Sequence, residues 1–188
     1  MEMTIVKQLI VLTGAAGTGK TTVQDYLTET YGIPAIVTHT TRLPRRGEQA
    51  GRDYYFETPA SFAKLHLLEQ VHYAGHQYGS SYEGLQRAWQ KGSICSIVLD
   101  TAGAQTYVKA LGRQVIVLVL QLPSRTVQQH RMQVRGDQLV AIQNRLDSPE
   151  NQRDWTFSLP PSGNFYQITN QDWKTTVKRL DEIMEKLS

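Results

Sequence analysis

A glycine-rich stretch that directly follows an apolar run constrains this chain more than any other feature. It fits the phosphate-binding loop pattern G-x-x-x-x-G-K-[ST] at every fixed position. Residues 9–12 before it are typical of a buried parallel strand, and a helical pattern follows from residue 22. Glycines let backbone N–H groups curl around an anion, and a helix N-terminus favours negative charge there. The chain is therefore expected to bind a nucleoside triphosphate through Gly14, Ala15, Ala16, Gly17, Thr18, Gly19, Lys20, Thr21 and Thr22.

Two side chains of this loop carry most of its expected chemistry. Lys20 can reach the β- and γ-phosphates of the nucleotide, and the Thr21 hydroxyl can take one coordination position of Mg²⁺. We therefore expect Mg²⁺ as the cofactor that accompanies the triphosphate. A glycine-rich turn that binds nothing is the alternative, and the complete spacing between strand and helix argues against it.

The charge of the chain favours small phosphorylated ligands over nucleic acid. Its 20 Lys and Arg residues against 17 Asp and Glu give a formal charge of +3, without the run of basic residues that marks a nucleic-acid surface. Arginine binds phosphate in bidentate fashion, so clusters of arginines indicate anion sites. Two such clusters occur, at Arg42, Arg45, Arg46 and Arg52, and at Arg131, Arg135, Arg145 and Arg153.

Length, cysteine content and hydropathy define the broad class of the chain. Its 188 residues suit one domain with a sizeable core. Cys95 is the only cysteine and lies in an apolar run, so a buried thiol without a disulfide is expected. No stretch approaches the roughly twenty apolar residues that a membrane span needs. We expect a cytoplasmic protein without membrane or nucleic-acid partners, either a monomer or a homodimer.

Short apolar runs alternate with helical patterns along the chain, which predicts an α/β fold with a parallel sheet flanked by helices. The predicted strands are residues 8–13, 35–37, 94–100, 115–120 and 165–169. The predicted helices are residues 21–30, 82–90, 102–111, 124–134, 137–147 and 171–187. Asn170 is a candidate N-cap for the last helix.

Two polar regions interrupt the alternation. Residues 38–81 are rich in Thr, Arg, Gly, Tyr and His, with a predicted helical stretch over 61–68, and residues 125–153 carry the second arginine cluster. Both are interpreted as excursions from one core, formed by residues 1–37, 82–124 and 154–188, and not as separate domains.

The first excursion contains a specific motif. Residues 40–56 match the pattern T-T-R-x-P-R-x-G-E-x-x-G-x-D-Y-x-F throughout, and this segment resembles the guanylate kinase family. The resemblance spans nearly the whole chain. It implies a P-loop NTPase fold with a small nucleoside-monophosphate-binding insertion (residues 38–81) and a lid (residues 125–153). It also implies ATP and GMP as substrates, with Mg²⁺-dependent transfer of the γ-phosphoryl group of ATP to GMP.

The resemblance also assigns an acceptor site. It implies that the GMP phosphate is held by Arg42, Arg45, Tyr54 and Tyr78, and that guanine is read by Thr38, Glu69, Ser80 and Asp100. The chemistry is consistent, because guanine presents adjacent N1–H and N2–H₂ donors that a carboxylate accepts in bidentate fashion. For Glu69 the alternative is an ordinary surface carboxylate.

By the same resemblance, Arg131, Arg135 and Arg145 are lid arginines that act with Lys20 and Arg42 on the transferring phosphoryl group. For each lid arginine, a plain surface position is the alternative. Asn170 resembles the family's asparagine on the adenine side, and the helix cap proposed above is its alternative role.

The main departure from the family lies at the end of the strand before Asp100. The family has two acids there, and this chain has Val98 at the first position. Asp53 or a shifted register is a possible compensation. Two other functions therefore stay open: a related P-loop kinase for another small phosphorylated acceptor, such as a sugar phosphate, and a non-catalytic guanylate-kinase-like module that binds GMP.

Overall fold

The computed structural model describes residues 7–44, 47–73, 75–157 and 164–187. Elements are numbered in chain order. The strands are β1 (Gln8–Thr13), β2 (His39–Thr40), β3 (Tyr55–Phe56), β4 (Leu67–Tyr73), β5 (His76–Ser81), β6 (Ile94–Val98), β7 (Val115–Gln121) and β8 (Phe165–Thr169). The helices are α1 (Lys20–Tyr31), α2 (Pro59–Phe62), α3 (Tyr82–Lys91), α4 (Thr101–Leu111), α5 (Arg125–Val134), α6 (Leu139–Asp147), α7 (Pro149–Thr156) and α8 (Trp173–Leu187).

The main sheet is parallel and buried on both faces. Its strand order is β6-β1-β7-β8. Successive residues of a strand point to opposite faces, and β1 shows this directly. Leu9 and Val11 pack with residues of α3 and α4, whereas Ile10 and Leu12 pack with residues of α1 and α8. The predicted α/β fold with a parallel sheet between helices is confirmed.

A second, smaller sheet lies within residues 39–81. Its order is β3-β2-β5-β4, with antiparallel β2–β5 and β4–β5 pairs. The β4–β5 hairpin depends on a glycine, because a Cβ on Gly79 would lie 2.8 Å from the carbonyl oxygen of Glu69. This close approach brings Glu69 opposite Ser80. The register of this hairpin therefore fixes the positions of Glu69 and Ser80 relative to each other.

The predicted helix over residues 61–68 is wrong. The helix there is the single turn α2, which is capped by reciprocal hydrogen bonds between Thr58 and Ser61 and anchored by the buried Phe62. The chain then enters β4, where Leu67 pairs with Ser81. Pairing with β5, a contact outside any local sequence window, overrides the helical pattern of this segment.

The predicted strand over residues 35–37 is also wrong as an extended element. Ala35 forms one isolated bridge to Ser96 on the outer edge of β6. The amide of Ile36 donates to the Ser96 carbonyl at 2.7 Å, and the amide of Ser96 donates to the Pro34 carbonyl at 2.9 Å. The chain then turns away into the second sheet.

The sequence analysis did not predict the helix α7. The predicted strand over 94–100 ends early, at Val98, because Asp100 caps α4 instead, where its Oδ1 accepts from the Gly103 amide at 2.7 Å.

In the part of the chain that the structure describes, every helix is too short or too polar to cross a membrane.

Candidate active site

The glycine-rich loop leaves β1 and enters α1 in a conformation that only glycine tolerates at two positions. Gly14 has φ +130°, and a Cβ there would lie 2.2 Å from the carbonyl oxygen of Leu120. Gly19 has φ +91°, and a Cβ would lie 2.5 Å from Nδ2 of Asn170. Such values lie in the region that L side chains rarely adopt. The loop therefore packs closely against Leu120 and Asn170, and its conformation depends on the absence of side chains at Gly14 and Gly19.

Lys20 folds back onto this loop. Its Nζ donates to the carbonyl oxygens of Gly14 and Ala15 at 2.6 and 2.8 Å. Burial lowers the pKa of Lys20 from 10.5 to about 8, an effect that the charge of Asp154 opposes and that of Arg145 reinforces. Lys20 is still mostly protonated at neutral pH, and an anion in the loop would raise its pKa again.

One cleft of about 850 Å³ joins the loop to the other predicted groups. The residues that line it come from β1–α1, the second sheet, the end of β6 and the segment from α5 to α7. They include Gly14, Ala16, Gly17, Gly19, Lys20, Thr21, Thr22, Glu69, Asp100, Arg131, Arg135 and Arg145. The donor loop, two of the predicted guanine readers and all three lid arginines thus face the same space.

Three of the four predicted guanine readers form a cluster. Ser80 Oγ donates to Glu69 Oε2 at 3.3 Å. Burial, and then the nearby negative charge of Asp100, raises the pKa of Glu69 to about 7. Gly103 fits between the two acids, because a Cβ there would lie 3.3 Å from Asp100 Oδ1 and from Glu69 Cγ. Thr38 is half-buried just before β2, where its carbonyl accepts from the Tyr55 amide at 2.8 Å.

The predicted phosphate ligands of the acceptor also meet, except that Arg45 lies outside the described residues. The rings of Tyr54 and Tyr78 contact edge to face, with centroids 6.2 Å apart. The Arg42 guanidinium lies 5.6 Å from the Tyr54 ring centroid and makes a bidentate pair with Glu48 at 2.9 and 3.0 Å. Hydrogen bonding to Glu48 raises the pKa of Arg42. The Glu48 carboxylate thus takes the position that suits a phosphate.

The three lid arginines are held differently. Arg131 Nη2 donates to the carbonyl oxygens of Asn170 and Gln171 at 2.7 and 3.1 Å. Arg135 pairs with Asp137, with Nε 3.1 Å from Oδ1. Arg145 lies near enough to Lys20 for its charge to lower the Lys20 pKa. Arg131 is thus tied to the segment between β8 and α8, whereas the charges of Arg135 and Arg145 both act to lower the Lys20 pKa.

Asn170 is not the N-cap of α8, so that prediction is wrong. Asp172 fills this role, since its Oδ1 accepts from the Thr175 amide at 2.8 Å. Asn170 is buried, and its Nδ2 donates to the carbonyl of Thr18 at 2.8 Å while its Oδ1 accepts from the Thr176 hydroxyl. The residue braces the phosphate loop from the side of β8.

Val98 ends β6 in register with Leu12 and lines the cleft without a charge. Asp53, one of the two compensations that the sequence suggested, accepts from the Gln49 amide at 2.8 Å and pairs with Arg52 in its own turn, and it is not among the residues that line the cleft. The other, a shifted alignment with the family, stays a prediction. Besides Asp100, the cleft near this strand end contains the carboxylate of Asp154 from α7, whose Oδ1 accepts from the Thr101 hydroxyl at 2.6 Å.

Sequence reasoning missed α7 as the source of site residues. Besides Asp154, the helix supplies Asn151, which accepts from the amide of Ala16 in the loop, and Arg153, which donates to Asp100 Oδ2 at 2.8 Å. Arg153 was the only one of these with a signal in the sequence, as part of the second arginine cluster. A buried amide or carboxylate in a short helix carries no local pattern that marks its partner.

A parallel sheet whose first strand runs into a G-x-x-x-x-G-K-T loop at a helix N-terminus defines the P-loop NTPase fold. Comparison with known proteins narrows this class. The sequence model of guanylate kinase matches residues 6–187. The chain is 32% identical over 183 residues to the guanylate kinase of Chlamydia muridarum, which covers 94% of this chain and 86% of that one.

A second relative, the guanylate kinase of Thermosynechococcus vestitus, is 37% identical over 184 residues, with 93% of this chain and 91% of that one covered. The crystal structure of guanylate kinase from Anaplasma phagocytophilum superposes with a TM-score of 0.64 at 21% identity, covering 98% and 87% of the two chains, and so supports the fold. The chain belongs to the guanylate kinase family.

Proposed function

We propose that this chain transfers the γ-phosphoryl group of ATP to GMP and releases ADP and GDP. The observation that carries the proposal is the position of Glu69, which faces the phosphate loop across one cleft with Ser80 and Asp100 beside it. A P-loop alone would fit many nucleotide-binding proteins. A buried carboxylate that lines the same cleft as that loop adds a reason for a guanine acceptor.

The acceptor base is selected by hydrogen-bond donors. The ionised Glu69 carboxylate would accept from N1–H and N2–H₂ of guanine. The Ser80 hydroxyl, which donates to Glu69 Oε2, would hold the carboxylate in place. Adenine lacks this donor pair, so it would leave the buried carboxylate partly unpaired and bind weakly. On the phosphate side, Arg42, Tyr54 and Tyr78 would hold the acceptor anion, with Arg45 as a further candidate.

The donor is held by the loop amides and by Lys20, while the Thr21 hydroxyl would hold Mg²⁺ together with the nucleotide phosphates. Thr21 lines the cleft next to Lys20, and a hydroxyl oxygen is a suitable Mg²⁺ ligand. Within the described ranges, no three His, Cys, Asp or Glu side chains gather as a metal site. When bound, Mg²⁺ neutralises charge on the β- and γ-phosphates.

No general base is needed in this reaction, because the second pKa of the acceptor phosphate is about 6 and the group is mostly dianionic at neutral pH. Catalysis then consists of positioning and charge neutralisation. Arg135 and Arg145 line the cleft at the lid and would approach the transferring group as the lid closes. Closure would also exclude water, which otherwise competes with GMP for the phosphoryl group.

The test is a coupled assay of ADP release with ATP and Mg²⁺ that offers GMP, AMP, CMP and UMP in parallel. Turnover with GMP alone is the expected result, and Glu69→Gln should abolish the preference for GMP over AMP. Turnover with none of them, while GMP still binds in calorimetry, would indicate the non-catalytic module instead. In that case Val98→Asp is the variant to assay next. Adding a sugar phosphate to the panel tests the related kinase.

The proposal includes a cytoplasmic location and no nucleic-acid or membrane partner, with the protein acting as a monomer or homodimer. It is supported by the mild charge of +3 without a basic run and by the single, buried Cys95. Size-exclusion chromatography with light scattering measures the oligomeric state directly.

A further inference from the structure

Two side chains from outside the phosphate loop hold both backbone groups of Ala16. The Ala16 amide donates to Asn151 Oδ1 at 3.0 Å, and the Ala16 carbonyl accepts from Gln128 Nε2 at 2.8 Å. The same Gln128 Nε2 donates to Asn151 Oδ1 at 3.0 Å, which closes a ring of three hydrogen bonds. Gln128 belongs to α5 and Asn151 to α7, so the ring joins the loop to both ends of the lid.

The orientation of both side-chain amides is fixed by further partners. Arg125 has only donors, and its Nη1 lies 3.1 Å from Gln128 Oε1, so the NH₂ group of Gln128 must face Ala16. Asn151 Nδ2 donates to the Leu146 carbonyl at 3.2 Å, which leaves its oxygen for Ala16. Each amide oxygen and each amide nitrogen of the two side chains therefore has a partner.

The two side chains of the ring are buried, although Ala16 is half-buried and lines the cleft together with Asn151. Gln128 is 0% exposed and Asn151 is 4% exposed. α5 lies against the loop at Gly17, whose φ of +74° is one that L side chains rarely adopt, with Met132 Cγ and the Gln128 carbonyl oxygen the nearest atoms. Removing one of the two side chains takes a hydrogen-bond partner from the other, which is enclosed by protein, and frees one backbone group of Ala16 from its fixed direction.

We infer that Asn151 and Gln128 are positioning residues that hold the phosphate loop in its anion-binding shape before the nucleotide arrives. Asn151 takes the Ala16 amide and so turns it away from the phosphates, which leaves the amides that follow in the loop to form the nest. Preformed donors need no reorganisation when the anion binds, and this raises affinity. The inference rests on the proposed function only in taking ATP as the occupant of the loop.

The first test is Asn151→Ala, studied by calorimetry with ATP and Mg²⁺ in the absence of any acceptor. The Kd for ATP should rise about tenfold, as expected for a lost hydrogen bond that leaves its partner buried. Hydrogen exchange at the Ala16 amide should accelerate in the nucleotide-free protein, whereas the Kd for GMP should stay unchanged. Gln152→Ala is the matched control, because Gln152 is the exposed neighbour on α7, and it should alter none of these quantities.

Gln128→Leu tests the ring from its other side and carries the test alone if Asn151→Ala does not fold. It should weaken ATP binding by a similar factor, and the double variant should weaken it no further, because residues of one network are not additive. ATP affinity equal to wild type, or an equal loss of ATP and GMP affinity, would overturn the inference. Since no acceptor is needed for ATP binding, a failure to phosphorylate GMP would refute the proposed function and leave this result intact.

Discussion

The two sides of the cleft are constructed differently. The donor side is made of backbone: Gly14 and Gly19 adopt conformations that other residues avoid, and buried side chains brace the loop from α5, α7 and β8. The proposed acceptor side is made of side chains from the region of the small second sheet, chiefly Glu69 of β4 and Arg42, which lies just after β2. Backbone donors held by buried hydrogen bonds have one arrangement, whereas long side chains have several.

The charges differ as well. On the acceptor side, Arg42 is already paired with Glu48, and burial beside Asp100 raises the Glu69 pKa to about 7. In the proposed complex, GMP would have to displace Glu48 from Arg42 and would require the ionised form of Glu69. ATP would meet loop amides and a lysine whose pKa its phosphates would raise. The contrast indicates that the donor side supplies binding strength and that the acceptor side supplies discrimination.

The largest effect is expected from a variant that removes one charge on the donor side and leaves the acceptor side intact. Lys20→Ala should lower kcat by about 10³-fold, because a preorganised cation is lost where charge develops, and should leave the Kd for GMP nearly unchanged. Steady-state kinetics and calorimetry with GMP measure the two quantities, with Lys91→Ala on the exposed end of α3 as the control. A collapse of GMP binding would show that the sides are not independent.

The second prediction concerns pH. Guanine needs ionised Glu69, whose pKa of about 7 in the free protein lies above its usual value. Lowering the pH below 7 protonates the carboxylate, so GMP affinity should fall by up to tenfold per pH unit. Calorimetry from pH 5.5 to 8.5 measures this, and ATP affinity should show no loss of this kind. A pH dependence near 7 that persists in Glu69→Gln would assign it to another group.

A smaller effect is expected from a substitution in α4 at Gly103, which lies next to Glu69 and Asp100. Gly103→Ala places a methyl group 3.3 Å from both Glu69 Cγ and Asp100 Oδ1, so the two acids must move by a few tenths of an ångström. The KM for GMP should rise about fivefold, the lower end of the cost of overpacking, without a change in the KM for ATP. Gly92→Ala is the control, since its Cβ meets only ordinary contacts at 3.4 Å or more. An increase in both KM values would contradict local action.

The smallest expected effect sharpens the charge contrast. Glu48→Gln removes the carboxylate that competes with phosphate for Arg42, so GMP affinity should increase about threefold, in keeping with the modest energy of a partly exposed ion pair. The gain should shrink in high salt, because salt already screens the pair. Asp53→Asn, which alters a different pair in the same segment, should leave GMP affinity unchanged. A loss of affinity in Glu48→Gln would mean that Glu48 orients Arg42 for the phosphate.

The donor side of the cleft was also easier to predict from the sequence than the acceptor side. The phosphate loop was predicted in full because its glycines, Lys20 and Thr21 occupy consecutive positions, and local spacing carries the whole signal. The apolar runs of β1 and β7 likewise predicted the central sheet. On the acceptor side, Glu69 and Ser80 were identified only through resemblance to a family, and the element that carries Glu69 was assigned as a helix near its start.

What the sequence could not predict depends on contacts between distant segments. The β4–β5 pairing depends on the missing side chain at Gly79, and the role of Asn170 depends on where Thr18 lies in space. Asn151 does not stand out in a window of its own neighbours either, because its partner, the Ala16 amide, lies 135 residues away.

The single bridge at Ala35 also bears on how the molecule behaves in a crowded solution. β6 is an outer strand of the main sheet, and an outer strand offers unpaired backbone groups to any other chain with an extended segment. The segment around Ala35 lies across that edge, where it uses both the amide and the carbonyl of Ser96 and presents the ring of Pro34, which has no amide to donate. A segment too short to count as a strand thus covers the β6 edge at Ser96 and hinders edge-to-edge pairing of another chain there.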